Sequence, residues 1–140
     1  MITKINIYVL LALVGLNNCN NDPKPAKPDI SFLFDKWKVV SLSETGTWED
    51  AFNYTSYFTF YSTMQFGVAL DVNACGGRFD VQQIGKIIIS WDGCTKVCCD
   101  GEYGTKIARL IPEMTDFILS GNDTLIFSGL GQTKIKLKRN

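Results

Sequence analysis

From Met64 to Val72 the chain alternates without a break: Met64, Phe66, Val68, Leu70 and Val72 are apolar, with Gln65, Gly67, Ala69 and Asp71 between them. Successive side chains on a strand point to opposite faces, so this spacing suits a sheet with one buried face and no helix of 3.6 residues per turn. The same reading extends along the chain. "WKVVSL" from Trp37 and "YTSYFTFY" from Tyr54 are rich in aromatic and β-branched residues, which fit a pleated, half-buried surface. "RFDVQQI" and "IIISW" follow, joined at Gly85 and Lys86 as a Gly-X hairpin turn. "DFILS", "TLIFS" and "TKIKLK" close the chain, separated by the turn-forming "GND" and "GLGQ".

One segment breaks this period. Ile107, Leu110, Ile111 and Met114 stand at helical spacing, Thr105 is the candidate N-cap, and Pro112 halts any continuation. The expected fold is therefore mainly β, a small antiparallel barrel or sandwich of about eight strands with one short helix near 105–111 closing one end. Phe58, Phe60, Phe66 and Leu70 face inward, either filling the interior or lining a cavity for a small apolar ligand; small barrels are more often filled.

The first thirty residues follow another logic. Lys4 precedes an apolar run, Ile5 to Leu16, that ends in Asn17 and Asn18, giving a basic tip, a greasy centre and a polar close. That is the order of an export signal, and the run is shorter than the roughly 20 apolar residues a spanning helix needs. "LNNC", Leu16 to Cys19, resembles the lipobox of bacterial lipoproteins, in which the cysteine becomes the acylated first residue of the mature chain. The resemblance implies a signal peptide over 1–18, lipidation of Cys19, and a protein held on a membrane of the bacterial cell envelope. The outer membrane is the favoured one, with the domain in the periplasm or at the cell surface. "NNDPKPAKPD", polar and proline-rich, stays extended and makes 19–30 the lipidated cysteine and its tether. The remaining 31–140 are enough for one domain with its own core.

Composition narrows the function. Fourteen basic residues balance 14 acidic ones without a long run of either sign, which disfavours a nucleic-acid partner. Lys134, Lys136, Lys138 and Arg139 form the one basic cluster, read as the wet side of a last strand whose lysines discourage edge pairing. The chain contains no histidine, which removes the Ser-His and Cys-His nucleophile arrangements. Asp92, Asp100 and Glu102 offer carboxylates for an acid and base pair, but Asp92-Gly93 and Asp100-Gly101 are turn signals and favour a loop role. No catalytic residue, cofactor or metal is expected.

Cys75, Cys94, Cys98 and Cys99 remain beside Cys19, and in an exported domain four cysteines read as two disulfides. A Cys98–Cys99 bond would close a strained ring, so Cys75 takes Cys98 or Cys99 and Cys94 takes the other; this geometry leaves both pairings open, and Cys75–Cys99 with Cys94–Cys98 is the one preferred. The alternative is a thiolate metal site on "CTKVCC", which an oxidising compartment disfavours.

With these residues in view, the segment from "NACGGRF" through "GCTKVCCDGEY" to "LIPEMTDFILSGNDTLIF" resembles the META domain, also called HslJ-like. Trp37, Cys75 with Asn73 and Gly77, Thr95 with Cys99, and "DTLIF" occupy its characteristic positions. The resemblance implies a compact β-rich envelope domain linked to stress and antibiotic tolerance, without a defined catalytic site. "FDKWKVVS" is also similar to a lipocalin-like opening, with Asp35 where Gly is expected. Two functions follow as expectations: a non-enzymatic envelope lipoprotein that binds another protein or supports envelope integrity, or a carrier of a small apolar ligand.

Overall fold

The computed structural model describes residues 26–97 and 99–140. Among them the strands are β1 (Lys36–Ser43), β2 (Glu49–Asp50), β3 (Tyr57–Phe60), β4 (Gln65–Ala69), β5 (Ala74–Gln83), β6 (Lys86–Cys94), β7 (Met114–Ser120), β8 (Thr124–Gly129) and β9 (Lys134–Arg139). One helix, α1 (Glu102–Leu110), lies between β6 and β7. Every strand pairing is antiparallel, and β9 returns to β1 to close the sheet. Eight strands make the barrel. The two-residue β2 takes the edge of β1 beyond the end of β3, with Ser41 opposite Asp50 and Leu42 opposite Glu49.

The alternation in the sequence becomes the inside and outside of this barrel. Phe58 and Phe60 on β3, Phe66 and Val68 on β4, Phe79 and Val81 on β5, and Ile135 and Leu137 on β9 are all buried, while their neighbours along each strand are more exposed. Phe60 sits at the centre of an aromatic cluster, its ring centroid 5.3 Å from Phe79, 5.7 Å from Phe127 and 6.2 Å from both Phe58 and Phe66. Burying one such side chain stabilises the fold by about 1.5–3 kcal/mol, which is why the apolar period rather than any single contact sets the architecture. The basic cluster forms the wet side of β9, where Ile135 and Leu137 are fully buried between Lys134, Lys136 and Lys138. Because β9 pairs with both β8 and β1, it is not an edge, and its lysines guard none.

Both mouths are closed. At one end the 3-10 turn Ser31–Leu33 tucks Ile30 and Leu33 under the barrel, and the Trp37 indole N–H donates to the Leu33 carbonyl at 3.0 Å. Arg139 lies over the Trp37 ring at 4.9 Å, donates to the Phe32 carbonyl at 3.1 Å and pairs with Asp35 at 3.2 Å. Asp35, foreign to a lipocalin-like opening, thereby fastens the last strand to the first. At the other end α1 presses Ile107 and Leu110 into the core and turns Lys106 outward to Glu49 at 2.9 Å and Glu102 at 3.0 Å. Arg109 on the same helix pairs with Glu44.

Several boundaries depart from the sequence expectation. The helix begins at Glu102 and is capped by Gly101, so Thr105 lies in its interior, where its hydroxyl donates back to the Gly101 carbonyl at 3.2 Å. The turn at Asp100-Gly101 starts the helix one turn earlier than the apolar spacing alone indicates. After Leu110 the chain tightens into the 3-10 turn Ile111–Glu113, which accommodates Pro112. The β5–β6 hairpin turns at Ile84 and Gly85, with Gln83 opposite Lys86 and Gly85 at φ +87°. Met64 and Val72 fall outside β4: Met64 has φ +61° in the preceding turn, and Val72 is exposed.

Candidate functional site

The interior is the first place to look for a ligand. The inward residues Phe58, Phe60 and Phe66 meet Ile89, Ile111, Met114, Phe127 and Ile135 around a cavity of about 10 Å³. That volume holds about one water and no carried molecule. Leu70, also expected to face inward, is buried at the loop end of β4.

The cysteines organise the loop end. Cys75 on β5 faces Cys94 on β6, and the two are joined by a disulfide with Cα atoms 3.9 Å apart. The Thr95 N–H bonds to the Ala74 carbonyl at 2.9 Å beside them, which makes Cys75 and Cys94 a non-hydrogen-bonded pair, the position where opposed side chains come closest. This replaces the expected Cys75–Cys99 and Cys94–Cys98 bonds, because the strand register delivers Cys94 to Cys75 before the chain reaches the loop. Cys99 lies exposed in that loop with φ +81°. Cys19 and Cys98 lie outside the described residues. Among the described residues no cluster of three or more metal-ligating side chains forms, and the disulfide withdraws Cys94 from "CTKVCC".

Next to the disulfide, Asn73 and Asp100 hold the loop together. The buried Asn73 side chain accepts from Thr95 Oγ1 at 2.9 Å and the Val97 N–H at 2.8 Å, and donates to the Val97 carbonyl at 2.7 Å and Asp100 Oδ2 at 2.6 Å. Asp100 Oδ1 accepts the backbone N–H groups of Val72 and Asn73 at 2.9 and 3.1 Å. Burial pushes the Asp100 carboxyl up, but these hydrogen bonds outweigh it and hold the group below the usual carboxylate value. Such a carboxylate is occupied with backbone. Glu102 pairs with Lys106, and Asp92 is exposed, so the three acids have separate surroundings and form no acid and base pair. Nearby, the Tyr54 hydroxyl is buried without a well-formed hydrogen bond, and its pKa is pushed up to about 12, by burial first and then by the charges of Asp71 and Asp100.

Two open grooves lie on the outer surface. One, of about 240 Å³, runs along β1 and β2 between Lys38, Val40, Asp50 and Phe52, and Phe52 is 88% exposed. The other, of about 430 Å³, lies at the end where the N-terminal segment enters, lined by Phe32, Ile84, Gly85, Phe117, Ile118 and Leu119. Ile84 and Ile118 are 54% and 64% exposed there. Sequence reasoning missed both residues. For Ile118 the available signal was the failure of alternation in "FIL", since three apolar residues in a row force the middle one onto the outer face, as "III" does Ile88; no such signal marks Ile84, which sits in the hairpin turn.

No protein-family model matches the chain, and no curated protein does. Solved structures do. A duf4847 family protein from Bacteroides vulgatus ATCC 8482 superposes with a TM-score of 0.62 at 14% identity, covering 78% of this chain and 94% of that one. A protein from Burkholderia xenovorans, solved by NMR, superposes with a TM-score of 0.60 at 14% identity, covering 86% and 96%. The likeness is one of fold. It supports the closed barrel and brings no ligand with it.

Proposed function

We propose that this chain is a non-enzymatic, lipid-anchored protein of the bacterial cell envelope whose barrel acts through its outer surface by binding another envelope protein. The observation that carries the reading is the filled interior: a central cavity of about 10 Å³ and covered ends leave little room for a ligand inside, which supports recognition on the outer surface. The groove beside β2 suits a protein partner, because an exposed aromatic, Phe52, flanked by opposite charges on Lys38 and Asp50 resembles the anchor-and-rim pattern of binding sites. The META-like segment adds a role in envelope integrity under stress. In this reading attachment rests on acylated Cys19; among the described residues no helix is long and apolar enough to cross a membrane.

The second reading, a lipocalin-like carrier of a small apolar ligand, draws on the eight-stranded antiparallel meander closed by β1 and β9. Its difficulty is room.

Two experiments test the proposal. Radioactive fatty acid should label the wild type and leave Cys19→Ser unlabelled; equal labelling removes the anchor. In-cell crosslinking followed by affinity purification should recover one defined envelope protein, lost with Phe52→Ala. Repeated recovery of none, together with a lipid seen by native mass spectrometry, would transfer the assignment to the carrier.

A further inference from the structure

We infer that the groove formed by Phe32, Ile84, Ile118 and Leu119 seats the barrel on the surface of the phospholipid bilayer, so that the protein lies docked on its membrane by one end. The inference rests on the lipid-anchor reading of Cys19 and deepens it. Three observations meet here.

First, this end is where the chain from the anchor arrives. Lys27 pairs with Asp80 on β5 at 3.3 Å, Ile30 is buried, and Phe32 lines the groove with its ring centroid 6.2 Å from Phe117. Second, the reach is short. Cys19 and Lys27 are eight positions apart (27 − 19), and at about 3.1 Å per residue an extended chain of that length reaches about 25 Å. The end of the barrel that carries Lys27 is thereby kept within about 25 Å of the headgroups whenever the anchor is inserted, close enough for the groove to reach them. Third, the groove's chemistry suits lipid. Ile84 at a hairpin tip and Ile118 on β7, opposite Ile126 on β8, project from the barrel, and Ile88 on the outer face of β6 is 57% exposed opposite Asp80. An apolar rim that stands out at a tethered end penetrates the boundary between headgroups and acyl chains.

Such a docked barrel has a fixed orientation. Its α1 end, with the β2 groove and Phe52, faces away from the membrane, where a partner protein can reach it.

The test places a reporter in the rim of the full chain. Ile118→Trp, and separately Ile84→Trp at the hairpin tip, are made in the acylated protein and reconstituted on vesicles of phosphatidylethanolamine and phosphatidylglycerol with brominated acyl chains. Difference spectra against the wild type remove the three native tryptophans. The rim tryptophan should lose about half its emission, as a group lodged at the headgroup and acyl boundary does, while Phe52→Trp at the other end keeps its own. Full vesicle binding with an unquenched rim tryptophan overturns the docking and leaves the anchor standing. Absence of acylation overturns both. A rim tryptophan with blue-shifted emission before vesicles are added shows that protein, either a second copy or the chain's own N-terminal segment, covers the groove, which also overturns it.

Discussion

Removing the bond between Cys75 and Cys94 tests the register of the barrel as well as its stability. The two cysteines are 19 residues apart, and closing a loop of that length removes about 11 cal/mol/K of chain entropy from the unfolded state, worth about 3 kcal/mol at 25 °C. The double variant Cys75→Ser/Cys94→Ser, which leaves no orphaned thiol on either strand, should therefore lose about 3 kcal/mol and unfold at a urea concentration lower by about 1–3 M. Stability alone cannot distinguish the pairings. A bond from Cys75 to Cys99 would close 24 residues and differ by only about 0.2 kcal/mol on the same formula.

Peptide mapping decides it. Trypsin cuts after Lys38, Arg78, Lys86, Lys96 and Lys106, so Cys75 falls in peptide 39–78, Cys94 in 87–96, and Cys98 with Cys99 in 97–106. An unreduced digest should contain 39–78 joined to 87–96. Finding 39–78 joined to 97–106 refutes the register, because Cys75 would then face the loop. A double variant as stable as the wild type refutes the entropic argument while leaving the register untouched.

Other expectations follow from single groups. Phe60→Ala removes the hub of the aromatic cluster and should cost about 3–5 kcal/mol in urea unfolding; the hole it leaves should bind benzene or xenon, which the wild type excludes. Asp100→Asn sets a donor against a donor however its amide is turned, either at Asn73 Nδ2 or at the two backbone N–H groups, and should cost about 1–3 kcal/mol at neutral pH. Because the folded-state pKa of Asp100 is lowered, its contribution is present above the ordinary value of 3.8 and disappears as pH falls through the folded value; Asp100→Asn should flatten that acid limb of the stability curve. Tyr54→Phe deletes a buried hydroxyl without a well-formed partner, so its Tm should match or exceed the wild type. Since folding raises the Tyr54 pKa from 10.0 to about 12, the group leaves stability unchanged below pH 10 and lowers it as pH rises from 10 through 12, where the unfolded chain ionises first, and the variant should be less sensitive in that window.

What the sequence made legible was whatever depends on period. Alternation locates the barrel strands because their inward residues are apolar, and the i, i+3, i+4 spacing of Ile107, Leu110 and Ile111 finds the helix that closes one end. β2 escaped because its two residues, Glu49 and Asp50, carry no apolar pattern; β1 recruits them by backbone bonding alone. The Asn73 and Asp100 assembly was hidden for a different reason. Its members come from two loops 27 residues apart, and nothing in either loop announces the other.

The cysteine pairing escapes a count that turns four cysteines into two disulfides and keeps Cys98 and Cys99 apart, but the register of the hairpin contains it. With Ile84 and Gly85 at the tip, Gln83 faces Lys86, and counting back an equal number of residues on each strand brings Cys75 opposite Cys94. Placing the turn at Gly85 and Lys86 moves the register by two residues, and Cys75 then faces Lys96. Two irregularities could have spoiled the correct count: β5 carries an extra residue between Asp80 and Gln83, and β6 carries one between Trp91 and Gly93. They lie on opposite strands and cancel, with Gly93 taking φ +113° at the second. The disulfide therefore closes a hairpin whose register is already set at its tip. Its sulfurs meet because the turn and the paired bulges bring them together, so a change at Gly85 that shifts the turn should disturb a bond at the far end of the same two strands.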